Sequence, residues 1–307
     1  MKLNQLEIFC KIIELGSFSK AAEALHLSQP TLTEHMKSLE DELGLILLDR
    51  LGKKIHSTKA GTILREYAQR ILRLTREAEQ KLRSIQGELK GDLTIGASTI
   101  PGEYILPPII KRFRDDFPGI YVHLTIGDTK RIIDDTINCQ VELGVVGAKV
   151  ESMKLDYYPF VKDELVLAMP SGSPWGKAKS VSMDDLTKIP FILREEGSGT
   201  RMIMEKALRD SGFAGARLNV VMTLGSTAAI VQAMKSGAGC SIVSRKAVQD
   251  YLHNDVIRTK PIAGITFSRE FFIILRRGKV KSPLCEALFT FLLENARTAS
   301  LQRPGDA

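Results

Sequence analysis

The chain has 307 residues, of which 44% are hydrophobic, so it is long enough for two or three globular units with buried cores. Its 43 Lys and Arg residues against 36 Asp and Glu residues give a net charge of +7, which permits a polyanionic partner without requiring one. No segment approaches the roughly 18 apolar residues of a membrane span, and the N-terminus lacks the apolar core of a signal peptide. We therefore expect a cytoplasmic protein with no membrane partner.

The cysteines do not form a pattern that binds metal or makes a disulfide framework. Cys10, Cys139, Cys240 and Cys285 are scattered, and no two of them form a C-x-x-C pair. They are predicted to be buried thiols, and we expect no metal and no resident cofactor.

The first residues carry the signals of two short helices. Apolar residues recur at helical spacing over 3–15, and Gly16 stands where a helix commonly ends. Ser17 or Ser19 can cap a second helix, which is about two turns long and ends near Leu25.

A third helix follows a tight turn. Ser28 is a plausible N-cap, and Pro30 falls in the first helical turn, where its missing N–H costs nothing. One face of this helix is apolar, formed by Leu32, Met36, Leu39 and Leu43. The opposite face is polar, formed by Gln29, Thr31, Thr33, Glu34 and Lys37. This pattern predicts a helix-turn-helix whose second helix can enter a DNA major groove; the alternative is an ordinary three-helix bundle with a solvated face.

A basic hairpin and a long helix come next. The run LILLDRLGKKIHSTKAG predicts a wing whose basic pair, Lys53 and Lys54, could lie against DNA phosphates. Thr58 then opens a helix to about Gln86 with an apolar stripe of Leu64, Tyr67, Ile71, Leu74, Ala78, Leu82 and Ile85. A single exposed helix cannot bury such a stripe, so the pattern implies a partner helix.

The segment GSFSKAAEALHLSQPTLTEHMKSLEDELGLILLDR, followed by TKAG, resembles the winged helix-turn-helix of LysR-type transcriptional regulators. In that family the linker helices pair two chains, and the dimers associate into tetramers. The resemblance implies promoter DNA, a homodimer or homotetramer, and RNA polymerase as partners. It also places the DNA-binding residues at Ser28, Gln29, Pro30, Thr31, Thr33, Glu34, Lys37, Lys53 and Lys54.

After a boundary at Gly91, strands alternate with helices. A first βαβαβ unit is predicted from strand 93–97, helix 105–117, strand 120–127, helix 131–139 and strand 141–147. A second is predicted from strands 164–169, 190–193, 218–223 and 239–244 with helices 200–211 and 227–235. A late strand over 270–276 and a helix over 283–297 close the chain.

Two such α/β lobes, joined by crossing strands near 161 and 264, would enclose a ligand cleft. This arrangement resembles the family's effector-binding domain, which is similar to periplasmic binding proteins. The expected fold is therefore α/β with an all-α N-terminal part. Its predicted domains are a winged helix-turn-helix (1–58), a linker helix (59–90), an effector domain (91–298) and a tail (299–307). Within the effector domain, lobe 1 comprises about 91–160 and 265–298, and lobe 2 comprises about 161–264.

Four strand-to-helix junctions are rich in hydroxyl groups and glycine. Hydroxyls and free N–H groups at helix N-termini favour an anion, and the family holds its inducer between the lobes. The predicted effector-binding residues are Ser98, Thr99, Thr129, Thr200, Arg201 and Ser226. If they converge, they form an anion site made of neutral donors. The alternative is that these residues are only caps and turns, with Arg201 facing outward.

The ligand is expected to be small, because none of the four loops contains an aromatic residue. Sulfite, sulfate or a small carboxylate fits this composition. The segments LREEGSGTR and LGSTAAIVQAMKSGAG also resemble family members that govern sulfur assimilation, sulfite response or carbon fixation.

Other functions are weaker matches to the sequence. An enzyme using the inter-lobe cleft is one alternative, yet the Gly-Ser-Gly-Thr segment lacks the Lys of a P-loop, and neither H-E-x-x-H nor G-x-S-x-G occurs. A cytosolic solute-binding protein is another, but the helix-turn-helix argues against it. RNA binding lacks an aromatic and basic stacking platform. The sequence therefore predicts a non-enzymatic, sequence-specific DNA-binding regulator modulated by a small anion.

Overall fold

The computed structural model describes residues 1–49, 55–85, 89–213 and 218–301. The chain divides into two compact units, Met1–Glu88 and Leu89–Ala307. None of the described helices is both long enough and apolar enough to cross a membrane.

The N-terminal unit consists of four helices and a short hairpin. In chain order its elements are α1 (Leu3–Leu15), α2 (Phe18–Ala24), α3 (Gln29–Leu43), β1 (Leu48–Asp49), β2 (His56–Ser57) and α4 (Lys59–Ile85). Strands β1 and β2 pair antiparallel and form the base of the predicted wing. Lys53 and Lys54, the predicted basic pair of the wing, lie outside the described residues.

Local capping signals set the helix ends of this unit, as the sequence predicted. Gly16 ends α1 in the left-handed conformation with a φ of 61°, which glycine adopts without strain. The Ser17 side chain accepts a hydrogen bond from the backbone N–H of Lys20 and caps α2. Ser28 caps α3 in the same way by accepting from Thr31 N–H. The predicted apolar face of α3 is buried at Leu32, Met36 and Leu39, whereas Leu43 is exposed.

The TKAG segment packs the start of α4 against the residues that precede and form β1. Thr58 Oγ1 donates a hydrogen bond to the carbonyl oxygen of Ile46 (2.7 Å) and accepts one from the N–H of Gly61 (3.0 Å). A Cβ atom on Gly61 would lie 2.1 Å from the carbonyl oxygen of Leu47, so only glycine permits this approach. Thr58 and Gly61 therefore hold the start of α4 in close contact with the backbone of Ile46 and Leu47.

The C-terminal unit is a two-lobed α/β structure. Its first half contains β3 (Gly91–Ser98), α5 (Leu106–Asp116), β4 (Ile120–Gly127), α6 (Thr129–Ile137), β5 (Leu143–Val146) and the long β6 (Leu155–Pro170). Its second half contains α7 (Met183–Leu186), β7 (Pro190–Arg194), α8 (Gly199–Asp210), β8 (Asn219–Leu224), α9 (Thr227–Lys235), β9 (Ser241–Ser244), α10 (Arg245–His253), β10 (Ile257–Lys260), β11 (Phe267–Arg276) and α11 (Pro283–Leu301).

Strands β6 and β11 connect the two lobes. In lobe 1, β3 lies parallel between β4 and β5, and β11 is antiparallel to β5. Strand β6 pairs with β11 over its first part and then with β9 and β10 in lobe 2, where β7 and β8 form a parallel pair. Each lobe has its own apolar core, with Phe113 and Phe271 buried in lobe 1 and Phe191 and Leu208 buried in lobe 2.

The prediction missed part of the second lobe. The strand predicted over 164–169 is the second part of β6, which begins at Leu155. Helix α10 was not predicted because Ala247 and Val248 are its only fully buried residues, which leaves little apolar periodicity. Strand β10 has the sequence IRTK, which is too short and too polar to be recognised as a strand.

Candidate effector cleft and DNA-binding surface

A small polar cavity lies between the two lobes of the C-terminal unit. Its lining residues are Ser98, Thr99, Ile100, Asp128, Thr129, Arg194, Ser198, Gly199, Thr200 and Arg269. Four of the predicted effector-binding residues, Ser98, Thr99, Thr129 and Thr200, are therefore brought together. The volume open to the centre of a water molecule is about 10 Å³, which is room for about one water.

The cavity lies where the N-termini of two helices meet across the lobes. Thr129 is the first residue of α6, which Asp128 caps, and Thr200 is in the first turn of α8, which Ser198 caps. A Cβ on Gly199 would lie 2.6 Å from Thr129 Oγ1, so the two helix ends are in close contact. The N–H groups of both helix ends give the site a positive potential that favours an anion.

Arg269 on β11 lies deep in this site. Its side chain is 3% exposed and forms an ion pair of 2.7 Å with Asp163, whose side chain is 1% exposed. Arg269 Nη1 donates to Thr200 Oγ1 (2.9 Å), and Ser244 Oγ donates to Asp163 Oδ1 (2.7 Å). Burial lowers the pKa of Arg269, but the intrinsic basicity of a guanidinium and the adjacent Asp163 keep it charged.

Arg194, at the end of β7, is the second buried cation. Its Nε and Nη2 atoms donate to both carboxylate oxygens of Glu195 at 2.7 Å and 2.6 Å. Nη1 donates to Thr227 Oγ1 (2.8 Å), and Nη2 also lies 3.3 Å from Thr99 Oγ1. Arg194 thus makes four hydrogen bonds within the protein, two of them to Glu195.

The expectation of a site made only of neutral donors is wrong, because these two guanidinium groups line it. Neither arginine was among the predicted residues, which came from the hydroxyl-rich loops. A sequence feature that could have identified them is an arginine in a strand that is otherwise largely apolar. Arg194 ends the segment FILR, and Arg269 lies in FSREFFIIL.

Two atoms of the site have unused hydrogen-bonding capacity. Among buried side-chain nitrogen and oxygen atoms of the described residues, only Thr129 Oγ1 and Arg269 Nη2 lack a hydrogen-bond partner. Arg269 Nη2 is within ion-pair distance of Asp163 Oδ2, 2.7 Å, but makes no hydrogen bond to it. Both residues line the cavity, and both atoms can donate to a ligand.

Arg201 and Ser226 are not among the lining residues. Arg201 Nε donates to Glu205 (2.7 Å) and its Nη1 donates to the carbonyl oxygen of Arg194 (3.1 Å). Ser226 caps α9 by accepting a hydrogen bond from the N–H of Ala229. Ser226 is therefore a helix cap, which was the alternative to a role in ligand binding.

The predicted DNA-contacting residues lie on the exposed side of α3. Ser28, Gln29, Pro30, Glu34 and Lys37 are exposed, while Thr31 and Thr33 are half-buried. Ser19 Oγ of α2 donates to Gln29 Oε1 (3.0 Å), the Ser28 and Thr31 hydroxyls are 2.7 Å apart, and Thr33 Oγ1 donates to the Gln29 carbonyl (3.0 Å). These hydrogen bonds orient the polar side chains at the N-terminus of the helix.

Helix α4 carries large apolar side chains that are exposed. Ile63, Tyr67, Leu74 and Leu82 are 54%, 54%, 59% and 66% exposed. Large apolar side chains repeated along one exposed helix are typical of a helix-pairing surface.

A helix-turn-helix unit with an exposed third helix, joined in one chain to a two-lobed α/β unit with a polar cleft, defines a DNA-binding transcriptional regulator with an effector-binding domain. Residues 3–62 match the family model "Bacterial regulatory helix-turn-helix protein, lysR family", and residues 86–297 match "LysR substrate binding domain". The chain belongs to the LysR family of transcriptional regulators.

Its relatives by sequence include carbon-fixation regulators. A "Probable RuBisCO transcriptional regulator" of Trichormus variabilis is 32% identical over 299 residues, covering 96% of this chain and 89% of the relative. A protein of the same name from Cyanophora paradoxa is 35% identical over 308 residues, covering 98% and 93%. The predicted resemblance to the carbon-fixation members is thereby confirmed.

Solved structures with the same fold include full-length family members. CbnR, a LysR family regulator, has a TM-score of 0.72 at 22% identity, covering 96% of this chain and 99% of CbnR. The regulatory domain of Synechocystis CcmR in complex with 2-PG has a TM-score of 0.62 at 24% identity, covering 68% of this chain and 98% of that domain. Full-length OxyR from Pseudomonas aeruginosa has a TM-score of 0.70 at 22% identity, covering 99% and 97%.

None of the four cysteines forms a disulfide, and three of them are buried as predicted, while Cys10 is half-buried. Burial raises the pKa of Cys10 to about 11 and that of Cys240 to about 12, and it also raises the pKa of Cys285. Near neutral pH these three residues are therefore thiols and not the reactive thiolates.

Proposed function

We propose that this regulator controls carbon-fixation genes from the cytoplasm in response to a small anion bound between the lobes of its C-terminal unit. The observation that carries the ligand class is the pair of buried atoms without a hydrogen-bond partner, Thr129 Oγ1 and Arg269 Nη2, in one cavity. An anion supplies acceptors for both. The names of the sequence relatives support carbon fixation as the regulated process.

Binding requires the lobes to separate. A cavity of about 10 Å³ holds about one water and is too small for an oxyanion. Strands β6 and β11 are the connections across which the lobes can hinge. An anion that prefers the opened arrangement shifts the population toward it, and this shift is the proposed signal to the promoter and to RNA polymerase.

The candidate anions are small and carry carboxylate, phosphate or sulfur oxyanion groups. The structural neighbour CcmR is described in complex with 2-PG, which makes 2-PG the first organic candidate. Sulfite, sulfate and short carboxylates remain candidates because the lining contains hydroxyls and guanidiniums and no aromatic ring. No further cofactor is part of the proposal.

The test of the anion site is thermal melting of the full chain against 2-PG, sulfite, sulfate, phosphate and short carboxylates. A ligand that binds the folded state raises the melting temperature by mass action. We expect one anion to give a saturable rise, and Thr129→Val to weaken its binding by about 10-fold, because one hydrogen bond to a charged group contributes roughly 1.5–3 kcal/mol. Thr125→Val, on β4 outside the cavity, is the matched control. Equal responses in both variants and in the wild type would remove Thr129 from the site.

For DNA recognition we propose that the exposed side of α3 reads the promoter. Replacing Gln29 with Ala is expected to weaken specific binding by about 1–3 kcal/mol, the contribution of a good side-chain contact to a base edge. Binding to a scrambled duplex should change little. Titrations of the promoter duplex and of the scrambled duplex at one fixed salt concentration measure the ratio of the two affinities. Glu7→Ala on α1 is the control. A similar loss on both duplexes would indicate a phosphate contact or a folding defect.

We also propose that the chain acts as a homodimer or homotetramer. The exposed stripe on α4 supports pairing of two α4 helices. The exposed edge strands β4, with Tyr121 and Ile126, and β8, with Val220, Val221 and Met222, offer surfaces for further association.

Replacing Leu74 with Glu should shift the protein toward monomer, because the interface would bury a carboxylate without a partner. Sedimentation velocity across a concentration series measures this shift. Glu79→Gln on the same helix serves as the control. A dimer of unchanged stability in Leu74→Glu would exclude α4 as the pairing surface.

A further inference from the structure

A second cavity, larger than the inter-lobe site, lies beside α8. It is a groove of about 450 Å³ bounded by α8 on one side and by residues 147–149 after β5 on the other, with β11 at its base. We call it the α8 groove. Its volume falls within the roughly 300–1,000 Å³ of small-molecule sites. The groove can therefore receive an organic molecule without the opening that the inter-lobe cavity requires.

Four cations line the α8 groove: Arg269, which is ion-paired with Asp163, and three others. Lys206 and Arg209 lie on one face of α8, and Lys149 faces them from lobe 1. In the part of the chain that the structure describes, no ion pair joins any of the three to a carboxylate. Of the two acidic residues that line the groove, Glu205 is paired with Arg201 at 2.7 Å. Glu270 is thus the one lining carboxylate opposite three cations, which leaves the groove net positive.

The base of the groove is apolar. Phe272 is 9% exposed, and Lys149 Nζ stands 4.5 Å from the centroid of its ring. Met202, which is 36% exposed, precedes Lys206 by four residues and so lies on the same face of α8. Both side chains line the groove and give it an apolar contact surface, of which Met202 is the exposed part.

We propose that the α8 groove is a second ligand site, for an organic anion with an apolar or aromatic part and at least one phosphate or carboxylate group. The apolar part lies against Phe272 and Met202, and the acidic group is held by Lys206 and Arg209. Lys149 approaches from the other lobe, so the bound molecule contacts both lobes. Such a ligand resists separation of the lobes and gives the regulator a second input, distinct from the inter-lobe anion.

The test is isothermal titration of the full chain with 1-naphthyl phosphate, which combines the two required chemical features. We expect one molecule to bind per chain. The double variant Lys206→Glu/Arg209→Glu should weaken binding by at least about 10-fold, since it reverses two of the cations that hold the phosphate. Lys246→Glu, on the exposed face of α10, reverses one cation in the same lobe, half of the charge change of the double variant, and should leave the affinity within about twofold.

Three results would overturn the proposal. The first is no binding of 1-naphthyl phosphate up to millimolar concentration. The second is an equal loss in Lys246→Glu, which would mean attraction to net charge alone. The third is loss of binding in Thr129→Val with normal binding in the double variant, which would place the probe in the inter-lobe cavity. Failure of the inter-lobe anion site leaves this experiment interpretable, because Lys149, Lys206 and Arg209 line the groove and not the inter-lobe cavity, although Arg269 lines both.

Discussion

Replacing Arg269 with Met is expected to lower the free energy of unfolding of the C-terminal unit by about 3–5 kcal/mol. The substitution leaves the Asp163 carboxylate, 1% exposed, without its cation. Ser244 Oγ would remain as a donor to Asp163 Oδ1, but a single hydroxyl does not compensate a buried charge. Thermal or urea unfolding followed by far-ultraviolet circular dichroism measures the change, with the N-terminal unit as an internal reference.

A double-mutant cycle separates the structural role of this pair from its role in ligand binding. Adding Asp163→Asn to Arg269→Met removes the uncompensated charge and should restore most of the lost stability. The double variant should nevertheless fail to show the anion-dependent rise in melting temperature, because Arg269 Nη2 is absent. A double variant that remained as unstable as the single one would indicate that Arg269 acts mainly through packing against Phe271, whose ring centroid lies 4.6 Å from its guanidinium.

Replacing Glu195 with Gln is expected to tighten binding of the inter-lobe anion by about 10-fold or more, equivalent to about 1.4 kcal/mol. Glu195 binds the Arg194 guanidinium through both carboxylate oxygens, and an incoming anion must compete with it. The Arg194 side chain is only 4% exposed, so removal of the internal carboxylate leaves a buried cation that an anion can neutralise.

Titration calorimetry with the anion identified by melting measures this effect. The adjacent Glu196 is exposed, and Glu196→Gln is the matched control for loss of one negative charge from the same loop. Unchanged or weaker binding in Glu195→Gln would mean that Arg194 serves only as a structural residue, which binds Thr227 within lobe 2 and joins lobe 2 to Thr99 of lobe 1. The two predictions together test whether one or both arginines receive the ligand.

Much of the N-terminal unit could be predicted because its signals are local. The start of α3 depends on Ser28 and Pro30, which lie within a few residues of the backbone groups that they cap or replace. The end of α1 depends on a glycine in the left-handed region. Elements with weak local signals, such as α10 with its two fully buried residues, escaped prediction.

The sequence by itself determined the family, the helix-turn-helix with its capped helices, the two successive βαβ units and the hydroxyl-bearing junctions at the cleft. These features follow from residue spacing and side-chain chemistry within short stretches of chain. Only the tertiary structure decided which charges enter the cleft. Arg194 and Arg269 are far apart in the sequence, and each lies in a different strand pairing. Their common position, and that of Asp163 beside one of them, results from the crossing of β6 and β11 between the lobes, which no local pattern encodes.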